Sequence, residues 1–353
     1  MAIISFETFK DRICQRVSEI IHDPELFPDM KDPEVTLRKV NKGNEVYLTG
    51  LTIATKENNV SAGPTIYLEQ YYDEIQSGKP FETVVHEIAE AASEAIREAR
   101  KYNYEELEGI FRDDHEKLYA NVYPVLVSEE RNVAWANTMP HRMHADLMEI
   151  LEYRVTKPDK DGRYCSVKLY DSTVESFGLD TDRLFECALE NMRNNDPPFF
   201  MEMYSYMSQT FFATPDQRKQ NNAEMVDELI PGTLYIASTS GKVNGAACLV
   251  DDQFINDLSD RYGDFYMLPS SVHEILIIKP TPETRLSDLR EMVYTINRTE
   301  VSPTEVLSDN VYEVRNGKLE IAKTADELKL ESATKSGMEE QMAAPKKPKR
   351  HAR

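Results

Sequence analysis

Cysteine is scarce in this sequence: Cys14, Cys165, Cys187 and Cys248 are the four in 353 residues, and no two form a C-x-x-C pair. A secreted disulfide framework needs denser, patterned cysteines. Four scattered thiols fit a reducing cytoplasm, where each serves as a small apolar side chain. Long apolar runs are missing as well. No stretch approaches the roughly 18 residues that mark a membrane-spanning helix. The start, Met1 to Glu7, has neither the basic lead nor the apolar core of a secretory signal. The expectation is a cytoplasmic protein that does not enter a membrane.

Positive charge is in deficit. Lys and Arg number 41 against 62 Asp and Glu, a net charge of −21. A surface this acidic repels phosphate backbones, so general nucleic-acid binding is disfavoured. The exception is the C-terminus, where five of the last nine residues, Pro345 to Arg353, are Lys or Arg. The chain from 326 onward is assigned as a tail, its Ala-, Glu-, Lys- and Pro-rich part predicted to be disordered. Its patch Lys346-Lys347-Pro348-Lys349-Arg350 is read as a solvated segment, with contact to an anionic partner as the alternative.

Hydrophobic residues make up 41% of the chain, enough for a sizeable core. Phe6, Phe9, Ile13, Val17 and Ile20 recur at helical spacing behind Ser5, a suitable N-cap. Val35–Val40 and Glu45–Ile53 flank Asn41-Lys42-Gly43-Asn44, which predicts a hairpin. Helices are expected over 65–76, 81–102, 104–120 and 129–137, and a short strand over 122–127. A second hairpin is expected over 147–170, then a helix over 180–194. A third hairpin is expected over 233–250, turning at Gly241–Gly245. Further on, the pattern predicts a helix over 251–262, strands over 265–268 and 272–278, a helix over 286–298, and a hairpin over 311–321 turning at Asn316-Gly317. Hairpins separated by single helices imply an α+β fold. Residues 1–145 form a helix-rich subdomain with a small hairpin. Residues 146–325 form a mainly antiparallel-sheet subdomain.

Five phrases stand out together: Pro64-Thr65-Ile66-Tyr67-Leu68 with Tyr71-Tyr72 and Gly78; Met139-Pro140-His141 with Asp146-Leu147; Asn244-Gly245-Ala246; Phe265 to Glu274, which includes Pro269-Ser270-Ser271-Val272-His273-Glu274; and Glu305 to Tyr312, which includes Leu307-Ser308-Asp309-Asn310. In set and order they resemble the bacterial domain-of-unknown-function family numbered 5688, found mostly in anaerobic gut bacteria. The likeness runs over about residues 5–323. It implies a class and a kind of source, and it brings no mechanism with it.

His86 and Glu90 sit one helical turn apart in His86-Glu87-Ile88-Ala89-Glu90. A zincin needs His at both positions, so this pair would need a third ligand from elsewhere. If Pro140 opens a helix, His141 and His144 are neighbours three apart, with Asp146 and Glu149 close by, a second set with metal-ligand character. Ser270, Ser271, His273, Glu274 and Asp309 are candidate functional residues because the most family-specific phrases contain them. The bland reading is a turn whose serines bond local backbone. No G-x-S-x-G elbow accompanies them. Ser238-Thr239-Ser240-Gly241-Lys242 lacks the first glycine and the following helix of a phosphate loop and reads as a turn. Tyr67, Tyr71 and Tyr72 read as core.

Three functions fit these features. The first is a non-enzymatic interaction or regulatory module with no cofactor. The second is a metal-dependent hydrolase that uses a divalent ion held by His and Glu. The third is a small-molecule sensor with a pocket near Tyr266 and His273. The expected partner is a protein or a small molecule.

Overall fold

The computed structural model describes residues 4–28, 32–55, 64–99, 104–157, 164–211, 228–269 and 271–329. The basic end of the tail, Ser270 and the tip of the second predicted hairpin lie outside the described residues. The fold is α+β, with antiparallel sheets. The chain forms two compact units: residues 1–120 with 130–138 and 172–179, and residues 121–129 with 139–171 and 180–353. Among the described residues, no helix is long and apolar enough to cross a membrane.

In the first unit, α1 (Phe6–Ile21) begins as its sequence dictates, with the Ser5 hydroxyl accepting from the Thr8 N–H. Its buried stripe is Phe9, Ile13, Val17 and Ile20. A three-stranded sheet of β1 (Pro33–Asn41), β2 (Tyr47–Thr55) and β3 (Thr65–Tyr67) contributes Leu51 and Ile53 to the same core. After α2 (Glu69–Gln76), α3 (Phe81–Ala99) adds Val84, Val85, Ile88 and Ala92. Tyr72 meets Phe6 edge-on at 5.2 Å and donates its hydroxyl to the Ile4 carbonyl, as a core tyrosine does. The unit is completed by α4 (Tyr104–Asp113), α5 (His115–Tyr119), α6 (Val133–Ala136) and α7 (Asp171–Phe177).

Two sheets build the second unit. In one, β6 (Leu147–Arg154) pairs with β4 (Val122–Ser128) on one side, and β5 (Arg142–His144) and β7 (Ser166–Lys168) divide its other side. Pro124 is tolerated in β4 because that strand is an edge. The other sheet has six antiparallel strands in the order β13-β12-β10-β11-β9-β8: β8 (Pro198–Glu202), β9 (Leu234–Thr239), β10 (Phe265–Leu268), β11 (Ile275–Ile278), β12 (Tyr312–Arg315) and β13 (Lys318–Ile321). Phe265, Met267, Tyr312 and Val314 face the main core, with Met192 of α8 (Thr181–Asn195) and with Ile255, Leu258 and Tyr262 of α10 (Asp252–Tyr262). The opposite face of the sheet carries Leu268 and Ile278 against Leu289 and Val293 of α11 (Leu286–Thr299). The short α9 (Met203–Phe211) follows β8.

Four local expectations are corrected. Thr65–Tyr67 is a strand, not the start of a helix: its β-branched and aromatic residues pair with β2, Ile66 opposite Leu51. Residues 130–136 make only a 3-10 turn and one α turn. The third hairpin does not form. β9 is paired on both sides, by β8 and β11, and Gly245–Val250 is a fully buried 3-10 helix. A short apolar run that is buried all round shows no period to tell a strand from a helix. Finally, Pro140 does not open a helix. Arg142–His144 pairs with β6, so His141 and His144 are not helical neighbours.

Candidate functional site

Three loops meet beyond the ends of β9, β10 and β11. Asn244 adopts a left-handed conformation at φ 55° and presents its N–H to His273 Nδ1 at 3.1 Å. The Ser238 hydroxyl donates to the His273 carbonyl at 2.7 Å, and the Ala246 N–H donates to Val272 O. Glycine is needed between them. A Cβ on Gly245 would lie 2.0 Å from Ser238 Oγ and 2.5 Å from His273 O. The third loop closes from the other side, with Val272 N–H on Glu305 O and Ser308 N–H on Pro269 O. Three phrases far apart in sequence therefore form one hydrogen-bonded layer.

Within it, Ser271 is buried, and its hydroxyl accepts from the N–H of His273 at 3.0 Å. Because Nδ1 of His273 accepts, the ring proton sits on Nε2, which faces Glu305 Oε1 at 3.6 Å. Nδ1 is thus taken by Asn244, and among the described residues Nε2 lies nearer to Glu305 than to any hydrogen-bond partner in its own turn. Burial raises the Glu274 carboxyl above the ordinary range, helped by Glu305 and opposed by His273 and by a hydrogen bond from Ser271. Asp309 stands apart from this group. It accepts from Asn297 at 2.7 Å and pairs with Arg298 at 2.8 and 3.1 Å, tying the loop to α11.

The layer continues into buried charge. Asn244 Nδ2 donates to the Tyr164 hydroxyl at 3.2 Å, and Tyr164 donates to Glu152 at 2.6 Å. Arg154 bonds Glu152 at 3.3 Å and Asp196 at 3.1 Å, between the rings of Tyr123 and Tyr164 at 3.8 and 4.3 Å. Burial and the neighbouring Glu152 push the Tyr164 hydroxyl well above its usual range. Asp196 also holds the Gly241 N–H at 2.6 Å, Pro197 O holds that of Ser240, and Thr239 O that of Lys242. The N–H groups of Ser240, Gly241, Lys242 and Asn244 are therefore spent inside the protein, and the loop does not form an anion cradle.

A second cluster ties one more family phrase, that of Asp146, to the Glu305–Tyr312 phrase. Asp146 accepts from the Tyr312 hydroxyl and, at 2.9 Å, from Asn310 Nδ2. Ser308 Oγ accepts from the Asn310 N–H at 3.0 Å. Burial and the Asp146 carboxylate raise the Tyr312 hydroxyl strongly.

The metal candidates are placed separately. His86 and Glu90 are exposed on α3. His141 bonds Met139 O through Nδ1 at 2.9 Å, and His144 Nε2 pairs with the buried Glu149 at 2.9 Å. Among the described residues, no three His, Cys, Asp or Glu side chains gather as metal ligands. A groove of about 490 Å³ lies between α10 and the β12–β13 hairpin. Its lining includes His144, Leu249, Asp252, Ile255 and Asn256, but neither Tyr266 nor His273.

Glu152, Arg154, Tyr164, Asp196 and Glu305 were not singled out from sequence. One signal was available: Glu149, Glu152 and Arg154 are charges within a strand buried at every position.

The model of the family of unknown function DUF5688 matches residues 6–315. No curated protein and no solved structure matches the chain.

Proposed function

The chain belongs to the DUF5688 family, and from the arrangement of its family-specific residues we propose that it is a non-enzymatic interaction or regulatory module of the bacterial cytoplasm. The observation that carries the reading is the commitment of His273. A general base needs a free ring nitrogen aimed at a nucleophile. Here Nδ1 accepts from Asn244 and Nε2 faces Glu305, while the Ser271 hydroxyl is buried and bonded to its own turn. These groups shape three loops into one surface, and among the described residues of the turn no hydroxyl is bonded to a His273 ring nitrogen. The occupant of that surface is a protein or a small molecule.

Elemental mass spectrometry of the purified protein, run beside its native mass, tests this. The expected result is no stoichiometric metal, with the native mass reporting any protein or small molecule that stays bound. Near one equivalent of zinc, manganese or iron, lost in His144→Ala or His86→Ala, would replace the reading with that of a metal-dependent hydrolase.

A further inference from the structure

Among the described residues, β13 is the last strand of the six-stranded sheet and has a neighbour, β12, on one side only. The two-residue turn at Asn316-Gly317 has φ of 51° and 75°, the left-handed pair a type I′ turn requires, and it makes Arg315 and Lys318 the first cross-strand pair. In an antiparallel ladder the bonded pairs alternate. Arg315/Lys318 and Glu313/Glu320 are bonded pairs, and the Ala322 N–H reaches Val311 O at the next one, as this phase demands. The N–H and C=O of Leu319 therefore point away from β12, toward the groove beside this edge. Asn316, Gly317, Lys318, Leu319 and Glu320 line that groove.

Lys318 and Glu320 flank Leu319 on the same face, both exposed, and neither has an ion-pair partner among the described residues. A lysine alone on an edge discourages strand pairing. A glutamate two residues on changes that: it makes the edge complementary to its own reverse. We propose that β13 is a self-pairing edge, through which two copies of this chain join antiparallel about Leu319 into one continuous sheet. In that register each Leu319 N–H donates to the Leu319 carbonyl of the other copy. Lys318 of one copy stands opposite Glu320 of the other, and the two-fold axis repeats the pair. The occupant is a second copy because the charge pattern Lys-Leu-Glu reads as its own complement. The inference does not rest on the non-enzymatic reading, since a hydrolase could pair in the same way.

Sedimentation velocity on the full chain at about 0.15 M salt, where charges beyond roughly 8 Å are screened, decides it. The wild type is expected to dimerise. Lys318→Glu and Glu320→Lys place like charges opposite one another, and each should weaken the dimer at least tenfold. Mixing the two variants should give a heterodimer, because every cross-strand pair is then again of opposite sign. The double variant K318E/E320K should restore the homodimer. Both sites are exposed, so folding is spared, and circular dichroism checks this. A wild type that stays monomeric, including one whose edge binds a different protein, overturns the proposal. So does a dimer that the single variants leave unchanged.

Discussion

The main-chain N–H of Asn244 donates to Nδ1 of His273 at 3.1 Å, so a left-handed loop residue fixes the tautomer of an imidazole 29 positions away. The contact exists because Gly245, the next residue, lets the loop approach the His273 backbone with no side chain between them. Two family-specific phrases are thereby joined at one point, and Glu305 of a third lies 3.6 Å from the same imidazole.

Gly245→Ala should accordingly be among the most damaging small substitutions in the chain. A methyl group 2.0 Å from Ser238 Oγ and 2.5 Å from the His273 carbonyl cannot be accommodated without moving backbone. Overpacking of this kind typically costs about 1–3 kcal/mol, and the upper part of that range is expected here. Urea unfolding of the variant beside wild type measures it.

Glu274→Gln tests the buried carboxyl. Burial raises its folded-state pKa above the ordinary 4.5, so the native state holds its proton more tightly than the unfolded chain does. The stability this gives is fully present below the unfolded pKa and is lost as pH rises through the folded one. The amide does not titrate. Relative to wild type, the variant should gain stability as pH rises from about 4.5 through the folded-state pKa. Denaturant midpoints at pH 4, 5.5 and 7 would reveal the trend, and a difference independent of pH would count against it.

Arg154 is bonded to two buried carboxylates, Glu152 and Asp196, and its removal strands both. Breaking a buried pair from one side typically costs about 3–5 kcal/mol. Arg154→Ala should fall in that range. Arg154→Met in a background of Glu152→Gln and Asp196→Asn should recover most of it. Thermal unfolding of the two proteins makes the comparison.

Tyr312→Phe removes the hydroxyl that bonds Asp146 and should cost about 1 kcal/mol at neutral pH, the usual net worth of a hydrogen bond. Its sign with pH is also set. Burial and Asp146 raise the folded pKa above 10.0, so the contribution holds below pH 10 and fades as pH climbs further. Wild type should lose more stability than the variant between about pH 9 and 11. Denaturant titrations across that interval measure the difference.

His144→Ala leaves Glu149, which is 4% exposed, without its imidazole partner. A loss of about 1–3 kcal/mol follows from the unsatisfied carboxylate. Metal content should be the same in variant and wild type, and a change in it would reopen the hydrolase reading.

Much of this molecule was legible from composition and period. Ser5 capping α1, the stripes of α1, α3, α10 and α11, and the Asn41–Asn44 and Asn316-Gly317 turns are local facts, set by side-chain spacing and by residues that tolerate positive φ. The sequence also marked His273, Ser271 and Asp309 as members of distinctive phrases. It could not say what they touch. Gly245–Val250 reads as a strand until packing on every side decides for a 3-10 helix, because a segment buried all round carries no alternation. Arg142–His144 reads as a helix start until β6 offers an edge. Chain order alone did not reveal that Asn244 would meet His273, that Asp146 would meet Tyr312, or that Arg154 would be clamped between Glu152 and Asp196. Apart from the neighbours Glu152 and Arg154, those pairings join residues 29 to 166 positions apart. They exist because antiparallel sheets bring distant loops to a common end, where each polar group that leaves water must find another.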